Sequence, residues 1–431
     1  MKGEWVDVAI GDIAEIVGGS TPSTADKSNF DGDIPWLTPK DLSEPHGRYV
    51  SHGERNLSAK GLASCSSRLL PRNSVLLSSR APIGYLAIAA NQIATNQGFR
   101  SLVLGPGYDH EFLYYWLTAN VEELERHASG STFKELSGGA LKKIHIRIPA
   151  DVTEQRAIAH IPGTLDDKIE LNRRMNETLE AIARALFTSW FVNFDPTRAK
   201  AEGHDPGLPQ EIADLFPDSF EDSELGEIPK GWPVMKLSDL CSTQYGYTAS
   251  AVDKPVGPKL LRVTDINKRN WINWSDVPYC AIDPDTRASY ALEVGDLVVA
   301  RMADPGKSAI IEEEIDAVFA SYLVRLKTPS LAHSYYVHGF LKSDLYAEYA
   351  EGAKSGSVQA NMNAKVIVGA SLVVPPERII QQFLQAVLPL RRRLVANVRD
   401  SRTLTELRCT LLPKLISGEL RVGDQLRAKF T

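Results

Sequence analysis

The sequence is poor in cysteine, and the few cysteines it has are scattered. The chain of 431 residues contains four of them, far apart and without a CxxC pair: Cys65, Cys241, Cys280 and Cys409. This spacing argues against both a zinc knuckle and a disulfide framework. The histidines likewise show no metal-ligand spacing. We therefore expect free, mostly buried thiols and no metal site.

Long hydrophobic runs are also lacking. No apolar stretch approaches the length of a membrane span. The first five residues, MKGEW, are charged early and lack an apolar core, which predicts that no signal peptide is present. With 43% apolar and 24% charged residues, the composition is typical of a soluble globular protein. We expect a cytoplasmic protein without membrane contact, long enough for roughly two to four domains.

The chain has no overall excess of positive charge. Its formal net charge is −6 at pH 7, which argues against nonspecific nucleic-acid binding by the whole surface. The distribution is uneven, because residues 192–232 carry 3 basic and 10 acidic side chains, whereas residues 377–431 carry 11 basic and 5 acidic ones. The two large blocks, 1–150 and 233–376, are near neutral, so a basic groove on either block is still allowed.

A nucleotide-binding loop is incomplete. The stretch ARMADPGKSAI contains Gly306, Lys307 and Ser308, the end of a P-loop, after an apolar run. A P-loop needs a second glycine five positions before Gly306, so that successive backbone N–H groups can surround the phosphates. Arg301 occupies that position. The pattern therefore favours a hairpin connection over a nucleotide site.

The sequence does contain an internal repeat of about half the chain length. Residues 70–89 match residues 292–311, since both predict a turn, a strand ending in arginine, a loop with proline and glycine, and a second strand. The correspondence extends to four further pairs of segments: 8–19 with 235–246, 36–44 with 261–269, 112–136 with 335–362, and 142–149 with 366–376. The incomplete P-loop is thus the second copy of the hairpin segment SRAPIGYLA.

A long helix follows each copy of the repeat. Apolar residues at heptad spacing predict helices over about 153–191 and about 377–420. Pro162 and Pro389 are expected to break or kink these helices near their starts. Each helix has one apolar stripe to bury, which favours an antiparallel pair packed along these stripes.

Three segments carry a resemblance to a known family. Residues 154–196 are similar to the central helical region of specificity (S) subunits of type I restriction–modification systems. LGEIPKGWPVMKLSDL (225–240) resembles the start of their second target-recognition domain, and LLPKLISGELRV (411–422) resembles their C-terminal helical region. The duplicated order of segments extends this resemblance over nearly the whole chain.

The resemblance implies an α+β fold with two tandem-repeated α/β target-recognition domains. Two long antiparallel coiled-coil helices would separate the domains in a pseudo-twofold arrangement. The expected segments are target-recognition domain 1 (1–150), a central long helix (151–191), an acidic Pro-rich linker (192–232), target-recognition domain 2 (233–376), and a C-terminal long helix and tail (377–431). Because the linker lacks periodicity, we interpret it as an irregular connection or a strap on which a partner docks.

The resemblance also implies a noncatalytic subunit that binds double-stranded DNA. Each recognition domain would contact one half of a split, asymmetric site, and the helices would set the spacer. Two adenine-N6 methyltransferase subunits would dock on the helices, and two motor-nuclease subunits would complete the complex. No cofactor is expected in this chain; the partners would use S-adenosylmethionine, and ATP with Mg²⁺ where a motor subunit is present.

Motifs for catalysis are missing. Adenine methyltransferases hold the flipped base with an Asn/Asp-Pro-Pro-aromatic loop, whereas Pro375-Pro376 is followed by Glu377. No glycine-rich methyl-donor loop follows a strand. A metal-dependent nuclease would need spaced carboxylates and a lysine, a local pattern that Asp166, Asp167 and Lys168 show. These residues lie on the first long helix, however, where solvated charges are expected. These absences favour a binding protein, in which base flipping and chemistry belong to a partner.

Candidate DNA contacts lie in corresponding loops of the two copies. Arginine and lysine suit guanine, and asparagine and glutamine suit adenine. The candidates of the first copy are Ser20, Thr21, Ser23, Lys40, Arg80, Ser131 and Lys134. Those of the second copy are Tyr245, Tyr247, Lys268, Arg269, Asn270, Arg301, Lys307, Lys354, Ser357, Gln359 and Asn361. The alternative for each is surface solvation or a structural role, such as an ion pair that braces a hairpin through Arg80 or Arg301.

Candidate contacts to the methyltransferase lie on the helix stripes and at the end of the first helix: Leu165, Ile169, Leu179, Leu186, Trp190, Phe191, Leu404, Leu411 and Leu415. Trp190 and Phe191 could instead pack against a domain. Asn172 and Asn176 occupy seam positions that fix register, or one of them faces solvent. The arginines at 391–393 face either DNA phosphates or the acidic linker.

Three other functions stay open beside a restriction–modification specificity subunit. The first is a specificity subunit of a methylation-only system, which lacks the motor subunit. The second is a coiled-coil adaptor without a DNA role, against which the two copies of one fold argue. The third is an enzyme with a degenerate phosphate site, against which Arg301 and the repeat argue.

Overall fold

A computed structural model describes most of the chain: residues 4–43, 46–130, 134–354 and 361–430. The chain divides into two compact units, which we call the first unit (Met1–Asn172 with Asp400–Thr431) and the second unit (Arg173–Arg399). None of the helices in the described residues combines the length and apolar character that a membrane crossing requires.

The first unit is built mainly from strands. They are β1 Trp5–Ala9, β2 Ala14–Gly18, β3 Phe30–Leu37, β4 Tyr49–Val50, β5 Arg55–Leu57, β6 Val75–Ser79, β7 Ile83–Ala89, β8 Ala94–Thr95, β9 Arg100–Leu104 and β10 His145–Pro149. Its helices before the long one are α1 Ile10–Ile13, α2 Ala59–Ala63, α3 His110–Ala119, α4 Val121–Arg126 and α5 Gly138–Lys142.

A five-stranded sheet in the order β2-β9-β6-β7-β4 forms the centre of the first unit. The β6 segment VLLSS is buried along its whole length. Its apolar residues, with those of β7, pack against Phe112, Leu113 and Trp116 of α3. Asp109 caps α3 by accepting a hydrogen bond from the Phe112 N–H at 2.9 Å, which satisfies a donor that the first helical turn leaves free. Strand β3 pairs in parallel with β8, and β1 pairs antiparallel with β10.

The second unit has shorter strands. They are β11 Phe220–Ser223, β12 Gly226–Pro229, β13 Val234–Lys236, β14 Ser242–Tyr245, β15 Lys259–Leu261, β16 Leu297–Ala300, β17 Ser308–Ile310, β18 Ala317–Phe319, β19 Leu323–Lys327 and β20 Ser371–Val373. Its helices outside the two long ones are α7 Asp195–Ala201, α8 Gln210–Ala213, α9 Leu237–Leu240, α10 Val263–Ile266, α11 Pro284–Tyr290, α12 Leu331–Leu341, α13 Asp344–Lys354 and α14 Ala364–Ile367.

The sheets of the two units share their strand order. In the second unit, β14-β19-β16-β17 form a sheet, which corresponds to β2-β9-β6-β7 of the first unit. Strands β15 and β18 pair in parallel, and β13 pairs antiparallel with β20, as their counterparts do in the first unit. The segment containing Gly306 connects β16 to β17, which are antiparallel. The predicted hairpin in place of a P-loop is therefore confirmed.

Two helices of 40 residues each belong partly to both units: α6 Val152–Phe191 and α15 Glu377–Ile416. The short helix α16 Asp424–Arg427 follows α15. Pro162 and Pro389 both lie inside unbroken helix, so the expected break is absent at both positions. A proline removes one backbone hydrogen bond, and core packing of Ala157, Ile158 and Ala159 before Pro162 helps α6 to continue past it.

Within each unit the long helices run in opposite directions. In the first unit, Asp166 contacts Arg408, and Asn172 donates to Asp400 at 2.9 Å and to Ser401 at 3.2 Å. In the second unit, Asn397 donates to Asn176 at 2.9 Å, and Phe191 packs on Phe383. Asn172 and Asn176 are 0% and 2% exposed. Both therefore lie between helices, and the alternative in which one faces solvent is wrong.

The segment at 192–232 contains more regular structure than its sequence predicts. It forms α7, α8 and the β11–β12 hairpin. Phe216, Ile228 and Trp232 are buried in the core of the second unit, and Trp232 packs on Phe191. The expectation of an irregular connection missed this packing, because three scattered apolar residues leave no periodic pattern in an acidic, proline-rich sequence.

Candidate nucleic-acid interface

In the first unit, several loops with candidate residues meet at one end of the five-stranded sheet. Gly18 at the end of β2 lies opposite Arg100 at the start of β9. Ser79 at the end of β6 accepts a hydrogen bond from the Leu136 N–H at 2.9 Å. The Ser20 N–H donates to the Thr95 carbonyl at 2.9 Å. The sheet thus brings the segments after β2, after β6 and before α5 together.

Two arginines share one carboxylate in this loop cluster. Glu135 lies 3.5 Å from the Arg80 guanidinium and 2.9 Å from that of Arg100. Arg80 is half-buried and was predicted either to contact DNA or to brace the hairpin. The ion pair supports the role of Arg80 in bracing the hairpin. The group of Arg80, Arg100 and Glu135 nevertheless keeps a net positive charge, because two arginines share one carboxylate.

The hydroxyl-bearing candidates lie in a loop whose backbone is held by the core. The carbonyl of Ser20 accepts from the Trp36 indole at 3.3 Å, and the carbonyl of Ser23 accepts from Asn29 at 3.0 Å. The Thr21 hydroxyl bonds to the side-chain oxygen of Gln97. The backbone is therefore fixed, and the exposed hydroxyl of Ser23 faces solvent.

Lysine candidates of the first unit are exposed. Lys40 forms an ion pair with Glu54 at 2.8 Å, and the hydrogen bond that Lys40 donates to Glu54 raises the pKa of Lys40. Since both side chains are well exposed, this pair is weak and leaves Lys40 available to another anion. Lys134 is exposed in the loop before α5. Ser131 lies outside the described residues.

In the second unit, the corresponding end of the sheet brings Tyr245 and Arg301 together. The Arg301 guanidinium lies 4.9 Å from the centre of the Tyr245 ring. Asn361 is exposed beside Met362, whose N–H donates to the Arg301 carbonyl at 2.9 Å. Tyr247 instead packs on Tyr290 with ring centres 5.4 Å apart. Three candidates thus form one group at the sheet end, and Tyr247 has a packing role.

A cleft of about 510 Å³ in the second unit is lined by four further candidates for DNA contact: Lys268, Arg269, Asn270 and Lys307. Arg184 and Lys342 also line it and were not predicted. Burial lowers the pKa of Lys342 to about 8, against the attraction of Glu180. Asp304, Glu177 and Glu180 also line this cleft, so it is a mixed-charge surface rather than a purely basic one.

The remaining candidates of the second unit lie at or beyond the limit of the described residues. Lys354 is the last residue of α13. Ser357 and Gln359 lie outside the described residues. In the parts of the chain that the structure describes, no group of three or more His, Cys, Asp or Glu side chains could hold a metal ion.

Three of the predicted partner contacts are buried within their own units. Trp190 and Phe191 are 3% and 4% exposed in the core of the second unit, and Leu415 is 1% exposed in that of the first. Their assignment as a docking surface is wrong for this structure, because a partner cannot reach them without opening the core. The other predicted contacts are half-buried along the helices: Leu165, Ile169, Leu179, Leu186, Leu404 and Leu411.

Several charged residues have roles that the sequence did not indicate. Arg391 is 2% exposed and contacts Glu312 at 2.6 Å as well as Glu180, so it faces neither DNA nor the acidic segment. In the first unit, Arg48 forms an ion pair with Asp167 at 2.7 Å, and Asp166 accepts from the Tyr115 hydroxyl at 2.7 Å. The expected solvated acidic pair is therefore partly structural.

Other residues at the two sheet ends were missed. Gln97, Arg100 and Glu135 join the loop cluster of the first unit. Tyr322, 54% exposed, accepts through its carbonyl from the Arg301 N–H at 2.9 Å. Tyr322 directly precedes β19, whose Val324 lies opposite Tyr245 at the end of β14.

Comparisons with known proteins agree with this architecture. The model of the type I restriction modification DNA specificity domain matches residues 2–181. The type I restriction enzyme MjaIX specificity subunit of Methanocaldococcus jannaschii is 34% identical over 98% of this chain and 94% of its own length. The HindI specificity subunit of Haemophilus influenzae is 26% identical over 72% of this chain and 77% of its own.

A solved structure shows the same fold. It is the crystal structure of a type I restriction–modification system S subunit from M. genitalium, which aligns with a TM-score of 0.57 and 16% identity over 96% of both chains. Because the MjaIX subunit is similar over nearly the full length of both proteins, the chain belongs to the family of type I restriction enzyme specificity subunits.

Proposed function

We propose that this chain is a noncatalytic subunit that selects the DNA sequence for a restriction–modification complex. Each unit would contact one half of a split, asymmetric site in double-stranded DNA. The observation that carries the proposal is the shared strand order of the two sheets, each with polar and cationic loop residues at the same end. Loops on a rigid scaffold are the usual place for binding residues.

The two units would be copies of one recognition fold. The matching sheet order and the matching β1–β10 and β13–β20 pairs support this. We retain the boundaries 1–150 and 233–376 for the two target-recognition domains, with coiled-coil helices at 151–191 and 377–431. The intervening segment at 192–232 would then belong functionally with the second domain, because its apolar residues lie in the core of the second unit.

The long helices would dock two adenine-N6 methyltransferase subunits. Large apolar side chains that remain exposed on these helices support a partner surface: Leu171 and Leu407 in the first unit, and Ile182 in the second, at 52%, 44% and 48% exposure. Leu171, Leu407 and Ile182 would contact the methyltransferase in place of Trp190, Phe191 and Leu415, which are buried. Two motor-nuclease subunits would join the complex, unless the system carries out methylation alone.

Chemistry would reside in the partners, which act in the cytoplasm. S-adenosylmethionine would bind the methyltransferase, and ATP with Mg²⁺ would bind the motor subunit. This chain would supply phosphate contacts for position and base contacts for sequence. The exposed lysines Lys40, Lys134, Lys268 and Lys307 suit the first of these roles.

The test is a base-resolution map of N6-methyladenine in a host that expresses this chain with the methyltransferase encoded beside it. The matched control expresses the methyltransferase alone. We expect a split motif with a fixed nonspecific spacer that appears only when this chain is present. An unchanged map from two soluble, associated proteins would instead indicate an adaptor without DNA recognition.

A further inference from the structure

In the second unit, the side chain of Arg301 is held in place by an aromatic ring at the end of β16. Its guanidinium lies 4.9 Å from the centre of the Tyr245 ring, within the range of a cation–π contact. The Tyr245 hydroxyl in turn accepts a hydrogen bond from the Ala364 N–H at 2.9 Å. The ring is therefore anchored at its far end, which restricts the orientation of the guanidinium that lies on it.

The backbone of Arg301 is fixed on both sides. Its N–H donates to the Tyr322 carbonyl, and its carbonyl accepts from the Met362 N–H, both at 2.9 Å. A side chain that is restricted before binding loses less conformational entropy when it meets a ligand. Arg301 is thus prepared for a directional contact, whereas the exposed Lys307 on the same hairpin is free to follow a phosphate.

The positive charge of Arg301 is not neutralised within the part of the second unit that the structure describes. In the first unit, Glu135 precedes Leu136 and pairs with Arg80. In the second unit, the residue before Met362 is Asn361, and a neutral amide cannot take the place of that carboxylate. No described carboxylate forms an ion pair with Arg301, and residues 355–360 contain no Asp or Glu.

A donor of Arg301 also lacks a partner. Its Nε is buried and has no hydrogen-bond acceptor among the described residues. A buried, unsatisfied donor is costly unless a ligand completes it. Arginine has five N–H donors and no acceptor. Its ligand must therefore supply acceptors, and two acceptors side by side match the fork geometry of the guanidinium best.

We propose that Arg301 recognises a guanine in the half-site contacted by the second unit, with Tyr245 as the residue that positions it. Guanine presents N7 and O6 as adjacent acceptors in the major groove, whereas adenine presents one acceptor and one donor. This inference rests on the proposed function, since it names one base contact of that DNA site. Arg80 is not its equivalent, because Glu135 already binds Arg80 and Arg100.

The experiment uses the full chain in complex with its methyltransferase and duplexes carrying the mapped motif. Each guanine of the motif is replaced in turn by 7-deazaguanine, which removes the N7 acceptor and leaves base pairing intact. Binding is compared for the wild-type chain, Arg301→Met, Tyr245→Leu and the control Lys307→Met. The control removes a nearby exposed cation that we expect to contact phosphate.

We expect the wild-type complex to lose roughly ten-fold in affinity at one guanine, consistent with the discrimination of a bidentate pair. Arg301→Met should bind that duplex and the unmodified one equally, and Tyr245→Leu should show a reduced difference. Lys307→Met should weaken binding to both duplexes alike and keep the ten-fold difference. If Arg301→Met fails to assemble, Arg301→Lys replaces it and should show a smaller difference than wild type.

Two results would overturn the assignment. In one, the Arg301 variants stay as sensitive as wild type to 7-deazaguanine at every guanine. In the other, no guanine is sensitive in the wild-type complex. Both differ from a failure of the proposed function, in which the wild-type complex has no split motif on which to place the modified base.

Discussion

At the scale of single residues, burial in an ion pair makes a cation inaccessible to any ligand. Arg391 is 2% exposed and contacts Glu180 and Glu312. Arg391→Met would leave these two carboxylates buried without a cation. We expect it to lower the free energy of unfolding by about 3–5 kcal/mol. Urea denaturation of the purified chain measures this value.

The neighbouring arginine provides the control for Arg391. Arg392 is exposed on the same helix, and Arg392→Met should change the free energy of unfolding by no more than about 0.5 kcal/mol. Equal effects of the two substitutions would contradict a structural role of the buried pair.

Lys342 provides a pH-dependent test at the same scale. Burial lowers its pKa in the folded chain to about 8, from an ordinary value of 10.5. The unfolded chain therefore binds more protons between these two pH values, and stability should increase as pH rises from 8 to 10.5. Lys342→Met should remove this increase in urea denaturation curves recorded across that range, whereas Lys230→Met, at an exposed position, should retain it.

The sequence predicted loop positions better than it predicted side-chain partners. Arg80 and Arg301 were matched correctly as residues at strand ends, because each follows an apolar strand and precedes a proline-containing loop. Their different surroundings were not predictable, since Glu135 reaches Arg80 only after the chain has passed through β7, β9, α3 and α4. Pairing over such separations depends on the folded sheet rather than on local pattern.

At the scale of elements, the pair formed by Asn176 and Asn397 holds the long helices in register within the second unit. Asn397 donates to Asn176 at 2.9 Å, and both are 2% exposed. Asn176→Leu removes the acceptor of this buried hydrogen bond and should cost about 1–3 kcal/mol. The double variant with Asn397→Leu should recover part of this loss, because replacing both partners of a buried hydrogen bond costs less than replacing one of them.

A double-mutant cycle by urea denaturation measures the coupling between the two asparagines. Strictly additive effects of the two substitutions would show that the amides act independently and that the contact does not stabilise the pairing.

Elements with strong periodicity were predicted well, and those without it were not. The first long helix was expected at about 153–191 and is observed at Val152–Phe191. The interruption expected at Pro162 is absent, because tertiary packing outweighs a single lost backbone bond. The hairpin β11–β12 was missed, because its strands FEDS and GEIP show no alternation of apolar and polar residues. Its apolar contact comes from Ile228, which is buried in the core of the second unit.

At the scale of the whole molecule, the proposed function makes the long helices the element that sets the DNA spacer. Inserting seven residues after Asn172 in α6 and seven after Arg399 in α15 preserves the heptad pattern. The insertion lengthens each helix by about 10 Å at 1.5 Å per residue. This corresponds to about three base-pair steps of roughly 3.4 Å.

We expect the methylation map of the doubly inserted chain to show both half-sites unchanged and a spacer about three base pairs longer. Insertion into α6 alone should abolish sequence-specific methylation instead, because the apolar stripes of α6 and α15 no longer match in length. Altered half-sites in the doubly inserted chain would contradict the assignment of base recognition to the sheet-end loops. The choice of bases would then depend on the long helices. Residues such as Arg301 would contribute to DNA affinity without distinguishing one base from another.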